Sequence, residues 1–214
     1  MANNSLDLVI TGLGNQPLAF ACFVLARMAQ NQGMDVQILQ PQGEEATAYV
    51  RIAKKAERRA IGQGEASILL GLDPVAAIKA LPLLNKQGLA VINMPDQLTD
   101  QMLESVLPDV KSPLSLLKEY RVERRDALIE AKKAGLPMVA VTILLGMLSK
   151  HLPFSAYDWQ HAIGSSVPRK VFAANMDAFL SGRGVNKADP APRQSLIDQS
   201  ETTKKDDECS ETTM

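Results

Sequence analysis

Residues 7–33, DLVITGLGNQPLAFACFVLARMAQNQG, place an apolar run, a glycine turn and a long helical pattern directly after one another. Residues 8–10 have the composition of a strand that is buried on both faces, and the apolar residues of 18–32 repeat at helical spacing. Gly12 and Gly14 allow a tight turn between the two elements. A strand, a glycine turn and a helix in this order are typical of the start of a phosphate-cradling α/β domain.

The turn departs from a dinucleotide-binding fingerprint at Pro17. The fingerprint has a glycine there, which lets the first helical turn approach the strand and the pyrophosphate closely. Proline also lacks the backbone N–H that an anion would bind, although it suits the first turn of a helix. The stretch therefore predicts the fold more firmly than it predicts a ligand.

The composition is that of one sizeable aliphatic core. The chain has 214 residues, of which 46% are hydrophobic and only 4% aromatic. Such cores suit parallel sheets that are covered by helices. The formal net charge of −1 gives no electrostatic reason to expect a nucleic acid or an anionic membrane as partner. The sequence has no targeting segment and no apolar run of membrane-spanning length, so we expect a cytoplasmic protein.

Further strands are predicted along the first half of the chain, at residues 34–39, 46–53, 67–72 and 89–93. Helical segments of about ten residues or more follow several of them, as in βαβ units. The pattern predicts a three-layer α/β/α fold, Rossmann-like, with a parallel or mostly parallel sheet and helices on both faces.

From Thr99 onward the pattern becomes helical. We expect a charged helix at residues 122–134, a helix at 138–148 that is apolar nearly all round, one that begins at Ser155, and a last one at 169–180. The composition turns polar at Lys187, with too few apolar residues to offset the entropy of ordering. We therefore expect a single α/β domain at residues 1–186 with a helical C-terminal part, and a disordered tail at 187–214.

The sequence supports no catalytic residue and no metal ligand. Its two cysteines, Cys22 and Cys209, cannot build a disulfide framework or an iron–sulfur site, and Cys22 is predicted to be a small buried hydrophobic residue. The two histidines, His151 and His161, lack a Cys, Asp or Glu partner at metal-ligand spacing. No Gly-x-Ser-x-Gly, His-Glu-x-x-His or lysine-bearing P-loop occurs. A self-contained hydrolase or kinase is therefore not expected.

A binding site is expected where the strands end, because open α/β sheets bind ligands at the carboxyl ends of their strands. Residues 12–16, 40–44 and 71–74 would line this mouth, and the candidate cofactor-binding residues are Gly12, Gly14, Asn15, Gln16, Gly43 and Asp73. Asp73 is also predicted to cap a helix that begins at Pro74. A nicotinamide dehydrogenase fits poorly, because the strand that ends near Gln40 has no acid for a ribose hydroxyl. Trp159 and Tyr157 are predicted to be packing anchors.

These residues resemble a known family, the gamma subunit or gamma domain of the 2-oxoacid:ferredoxin oxidoreductases, with pyruvate and indolepyruvate members. Residues 11–16, TGLGNQ, are similar to its T-G-x-G-G-Q-G opening, and residues 64–74, GEASILLGLDP, to its central strand. Residues 143–148, ILLGML, are similar to its buried helix. Val167, Pro168, Asn175, Ala178, Phe179 and Gly182 match its final helix. The matches run in order over residues 7–183, which makes the fold assignment specific.

The resemblance implies an assembly that oxidises a 2-oxoacid with thiamine diphosphate, iron–sulfur clusters, ferredoxin and coenzyme A. In this family thiamine binding belongs chiefly to the alpha and beta parts, while the gamma part is scaffold and, in some members, lies near coenzyme A. The resemblance therefore implies a non-catalytic gamma-type subunit that binds none of these cofactors alone. Its partners would be the alpha and beta subunits, and ferredoxin indirectly.

Two departures from the family pattern bear on this interpretation. Asn15 and Pro17 replace glycines, and the family's H-G-x-S-Q-R-G-G loop is reduced to residues 42–45, QGEE, with an acidic pair in place of a basic residue. These changes favour a divergent subunit of indolepyruvate type and predict a loss of anion affinity. Two alternatives remain open, a stand-alone binding or regulatory module and a nucleotide-dependent enzyme that uses the opening turn.

Overall fold

The computed structural model describes residues 5–12, 14–40 and 46–185. The predicted tail at 187–214 lies outside the described residues, and so does the candidate site residue Gly43 with the acidic pair Glu44 and Glu45.

The described residues form a six-stranded sheet in the order β2-β3-β1-β4-β5-β6. The strands are β1 (Leu6–Gly12), β2 (Asp35–Leu39), β3 (Ala46–Ala53), β4 (Ala66–Gly71), β5 (Leu84–Asn93) and β6 (Arg121–Arg125). β3 runs antiparallel to its neighbours β1 and β2, while β1, β4, β5 and β6 pair in parallel. The prediction of a mostly parallel sheet is confirmed, with β3 as the reversed strand.

Helices cover both faces of the sheet, as predicted. They are α1 (Asn15–Asn31), α2 (Pro74–Ala80), α3 (Asp100–Glu104), α4 (Pro113–Leu116), α5 (Ala127–Lys133), α6 (Ala140–Leu148), α7 (Ala156–Gly164) and α8 (Phe172–Arg183). Alternate residues of β1 supply two separate cores, because strand side chains point to opposite faces. Leu8 and Ile10 pack with α1 and α5 to α8, whereas Val9 packs with α2 to α4.

The prediction of one charged helix at residues 122–134 is wrong. Residues 121–125 form β6, which pairs in parallel with β5 at the edge of the sheet, and only α5 is helical. The sequence RVERR has little apolar content, so no alternation of apolar and polar residues marks it as a strand. Charged side chains suit a sheet edge, because they discourage pairing with other chains. Asp126 then ends the strand and caps α5 through a bond from the Ile129 N–H to its carboxylate, at 3.0 Å.

The predicted apolar helix is confirmed as α6, in which every residue is buried. It packs against α8 at Gly146 and Gly182. A Cβ on Gly146 would overlap the carbonyl oxygen of Phe179 and lie 2.9 Å from the Cα of Gly182. One turn away, the Thr142 hydroxyl donates a buried hydrogen bond to the Asn175 amide oxygen, at 2.6 Å. The two backbones therefore approach one another without side chains between them.

Cys22 lies on the buried face of α1, as predicted. Burial raises the pKa of its thiol from 9.0 to about 12, because the thiolate would lose its hydration. We expect a Cys209→Ser variant of the folded chain to resist a thiol reagent such as 5,5′-dithiobis(2-nitrobenzoate) at pH 8, and to react with it completely in denaturant. Rapid labelling without denaturant, at the rate of a free thiol, would contradict this placement.

Candidate functional site

The opening glycine turn lies at the carboxyl end of β1, where the site was predicted. Gly12 is the last residue of β1, and a Cβ there would lie 2.7 Å from the Cβ of Leu72. Gly14 has φ of 99°, a conformation that side-chain-bearing residues rarely adopt, while the space around it is open. Gly12 is therefore required by the closeness of the neighbouring strand, and Gly14 by the backbone of the turn.

Helix α1 begins at Asn15, directly after Gly14. Its first turn holds no acidic residue, and no side chain caps it. Asn15, Gln16 and Pro17 are the first three helical residues, which places Pro17 where helical N–H groups have no partner in the helix. Proline therefore costs the helix no hydrogen bond here, but it removes one N–H group from the end that faces the mouth.

Asp73 caps α2, the second helix that begins beside the carboxyl ends of the strands. Its Oδ1 accepts hydrogen bonds from the backbone N–H groups of Val75 and Ala76, at 2.9 and 3.0 Å, which confirms the predicted cap of α2. β1 and β4 are neighbours, with Thr11 paired to Gly71, and the Leu72 N–H donates to the Thr11 carbonyl at 2.7 Å. The structure thus brings Gly12 and Asp73 together at the carboxyl ends of β1 and β4, while contact of either residue with a ligand stays a prediction.

Two polar residues at the carboxyl ends of neighbouring parallel strands were not predicted from the sequence. Asn93 ends β5, where its amide donates to the Leu72 carbonyl at 3.2 Å and accepts from the Leu128 N–H at 3.3 Å. Arg125 ends β6, where its guanidinium binds Glu130 and donates to the Ser181 carbonyl at 2.7 Å. Asn93 could have been suspected as the polar end of an apolar strand, but no pattern marks Arg125. Both join secondary-structure elements to one another.

His151 has an acidic partner, contrary to the expectation from spacing. Its Nε2 lies 2.7 Å from Glu123 Oε1 on β6, and Lys150 Nζ lies 3.2 Å from the other oxygen of Glu123. Burial raises the pKa of Glu123, but the hydrogen bond from Lys150 and the charges of Lys150 and His151 outweigh it, so the pKa is lowered overall. The partner was missed because residue 123 was assigned to a helix. The cluster ties β6 to the end of α6.

The described residues contain no group of three or more His, Cys, Asp or Glu side chains that could hold a metal ion. None of their helices is long and apolar enough to cross a membrane.

The prediction of two packing anchors is half right. Trp159 is fully buried and stacks on Phe179, with ring centroids 6.2 Å apart. Tyr157, two residues away on α7, is 65% exposed and stacks on the ring of His161 instead. The spacing of two residues places them on different sides of a helix. Tyr157 therefore belongs to the surface of the protein rather than to its core.

We expect the isolated chain to show no saturable thermal shift with NAD, FAD or coenzyme A at millimolar concentration. The end of α1 lacks one N–H at Pro17, and the acidic pair Glu44 and Glu45 in the sequence is expected to repel a phosphate. Ligand at 100 times its dissociation constant stabilises by about 2.7 kcal/mol, which raises the melting temperature by roughly 5–11 °C. Unfolding followed by far-UV circular dichroism would detect this. A saturable shift with any of the three would contradict the loss of anion affinity.

Comparison with known proteins gives one consistent result. The family model described as pyruvate ferredoxin/flavodoxin oxidoreductase matches residues 7–185. Indolepyruvate oxidoreductase subunit IorB of Thermococcus kodakarensis is 28% identical over 190 residues, which cover 82% of this chain and 93% of that relative.

Two solved structures share the fold. The gamma subunit of keto/oxoacid ferredoxin oxidoreductase from Geobacter sulfurreducens has a TM-score of 0.64 at 20% identity, covering 84% of this chain and 97% of that chain. Pyruvate oxidoreductase subunit PORC from Thermotoga maritima has a TM-score of 0.60 at 18% identity, covering 84% and 96%. The similarity in both cases extends over almost the whole of the solved chain.

Proposed function

Because the chain belongs to the pyruvate ferredoxin/flavodoxin oxidoreductase family, we propose that it is a gamma-type subunit of a multi-subunit 2-oxoacid:ferredoxin oxidoreductase. The observation that carries the proposal is the match to indolepyruvate oxidoreductase subunit IorB, which extends over 93% of that relative. Most of the chain is thus similar to nearly the whole length of a subunit of such an enzyme. Indolepyruvate is the substrate that we propose for the assembly.

The proposed role of the chain is structural rather than catalytic. Asp73, Asn93 and Arg125 lie where the strands end. Asp73 caps α2, while Asn93 and Arg125 each hold one element of the fold against another. Asp73 Oδ1, the Asn93 amide and the Arg125 guanidinium thus already bind groups of the fold, which supports a scaffold better than a reaction centre. The partners in this proposal are alpha and beta subunits, which would carry the thiamine diphosphate and iron–sulfur chemistry and pass electrons to ferredoxin. Coenzyme A would bind to the assembly, and we place the assembly in the cytoplasm.

Affinity purification of the tagged full-length chain from its native cells tests this proposal. We expect other subunits in amounts comparable to the chain, together with bound thiamine diphosphate and iron, both measured on the eluate. A chain with an unrelated fold and the same tag is the control for nonspecific capture. Recovery of the chain alone at physiological salt would contradict the proposal and favour the stand-alone binding module.

A further inference from the structure

Three large aromatic side chains stand out on one side of the molecule because they are exposed. Tyr157 on α7 is 65% exposed, Phe23 on α1 is 51% exposed and Phe172 at the start of α8 is 44% exposed. All three helices lie on the same face of the sheet and contribute to the same core. Exposed apolar side chains that cluster in this way mark binding surfaces more often than scattered ones do.

Each aromatic side chain lines a surface groove. The first groove, of about 390 Å³, lies between α7 and α8 and is lined by Tyr157, His161, Ser165, Phe172 and Met176, among others. The second, of about 470 Å³, lies between α1 and the edge strand β2, and its lining includes Phe23, Ile38, Leu39 and Arg58. Apolar atoms make up most of the lining surface of both.

Arg27 joins the two grooves into one surface. Its guanidinium carbon lies 5.3 Å from the centre of the Phe23 ring, in the second groove. Its Nη1 donates a hydrogen bond to the carbonyl of Ser165, in the first groove, at 3.3 Å. We call this continuous surface, formed by the two groove linings and Arg27, the α1–α7–α8 face.

The charges of the α1–α7–α8 face are mainly positive, although the whole chain has a formal net charge of −1. No carboxylate lines either groove within the described residues. Arg58 lies in the second groove, and Arg169 and Lys170 are exposed in the turn just before Phe172. The nearby carboxylates Asp158, Asp177 and Glu57 do not line the grooves. Asp158 accepts a hydrogen bond from the Ser155 hydroxyl in the cap of α7, Asp177 has a partner, and Glu57 lies 3.8 Å from Arg59 Nε.

From this charge pattern we infer that the α1–α7–α8 face binds another subunit of the same enzyme, through a surface with apolar side chains bordered by carboxylates. The inference rests on the proposed function. A second copy of this chain is the poorer occupant, because a symmetric dimer through this face would bring the same cations together. A carboxylate-bearing partner pairs with those cations, while its apolar side chains fill the grooves around the three aromatic rings.

The test measures the affinity of the purified full-length chain for the subunits that co-purify with it, after those have been separated and purified. We expect Phe172→Ser and Arg58→Glu each to weaken binding by about tenfold or more. Met102→Ser is the matched control for the first variant, since Met102 is 56% exposed but lies on α3, on the opposite face. Lys118→Glu, an exposed lysine on that same opposite side, is the control for the charge reversal. Both controls should change affinity by less than about twofold.

The outcomes separate this inference from the proposed function. If the complex forms but Phe172→Ser and Arg58→Glu bind as tightly as the wild type, the inference is wrong and the proposed function stands. If no other subunit co-purifies with the wild type, the proposed function is wrong, and the inference that rests on it is wrong as well. Sedimentation equilibrium of the chain alone provides the third outcome. A dimer that Phe172→Ser abolishes would identify a second copy as the occupant and overturn the inference.

Discussion

Arg51→Met is expected to lower the free energy of unfolding by about 3–5 kcal/mol, and the melting temperature by roughly 6–20 °C. Arg51 on β3 and Asp7 on β1 are directly opposite in the sheet, and their side chains are almost fully buried. Arg51 Nε lies 2.6 Å from Asp7 Oδ1, and Nη2 lies 3.3 Å from Oδ2. Loss of the guanidinium leaves a carboxylate that is buried without a partner, which costs more than the pair contributes.

Two further variants make this prediction specific. Arg59→Met removes one member of an exposed ion pair with the same distance, 2.6 Å to Glu65, and should be far less destabilising than Arg51→Met, because water screens the exposed charges. The double variant Asp7→Leu with Arg51→Met buries no charge, so it should recover most of the loss. Urea unfolding followed by circular dichroism measures all of them. A single Arg51→Met variant as stable as Arg59→Met would contradict the burial of this pair.

Gly182→Ala is expected to destabilise the chain by about 3 kcal/mol, with a fall in melting temperature of roughly 6–12 °C. The added methyl group would overlap the carbonyl oxygen of Ile143 on α6, and it would be attached to the backbone of α8, so no side-chain rotation can relieve the overlap. The helices must move apart, although alanine is the better helix former by about 1 kcal/mol. Gly146→Ala should act in the same way from the other side of the contact.

Gly62→Ala is the control for these glycine variants. A Cβ on Gly62 would meet only the Glu65 side chain, at an ordinary 3.5 Å, so the change should stay within about 0.5 kcal/mol. Differential scanning calorimetry of the three variants provides the comparison. Melting of Gly182→Ala within a degree or two of Gly62→Ala would show that the two helices are not in close contact.

Much of the fold could be predicted because local patterns and packing agree. β3 spans the residues predicted for it, and α6 lies within the predicted apolar helix. The direction of β3 could not be predicted, because it depends on pairing with β1 and β2, which no local pattern reports. β6 was missed for a related reason. Its residues are mostly charged, and only pairing with β5 makes them a strand, which no local pattern reports.

The candidate site was predictable where the backbone itself requires a residue. Gly12, Gly14 and Asp73 lie where strand ends and helix starts need them, and those signals are local. The contacts of Asn93 and Arg125 with distant elements were not predictable, because they depend on the order of the strands. The exposure of Tyr157 likewise depends on which side of α7 packs against α8.

We propose that this chain is a necessary subunit of a 2-oxoacid:ferredoxin oxidoreductase. The most direct test is 2-oxoacid-dependent ferredoxin reduction in anaerobic extracts of native cells that lack the chain, with indolepyruvate, pyruvate and 2-oxoglutarate assayed separately. We expect activity with indolepyruvate to fall to background and to return when purified full-length chain is added in an amount equal to the remaining subunits. Unchanged activity with all three substrates in cells without the chain would contradict this proposal.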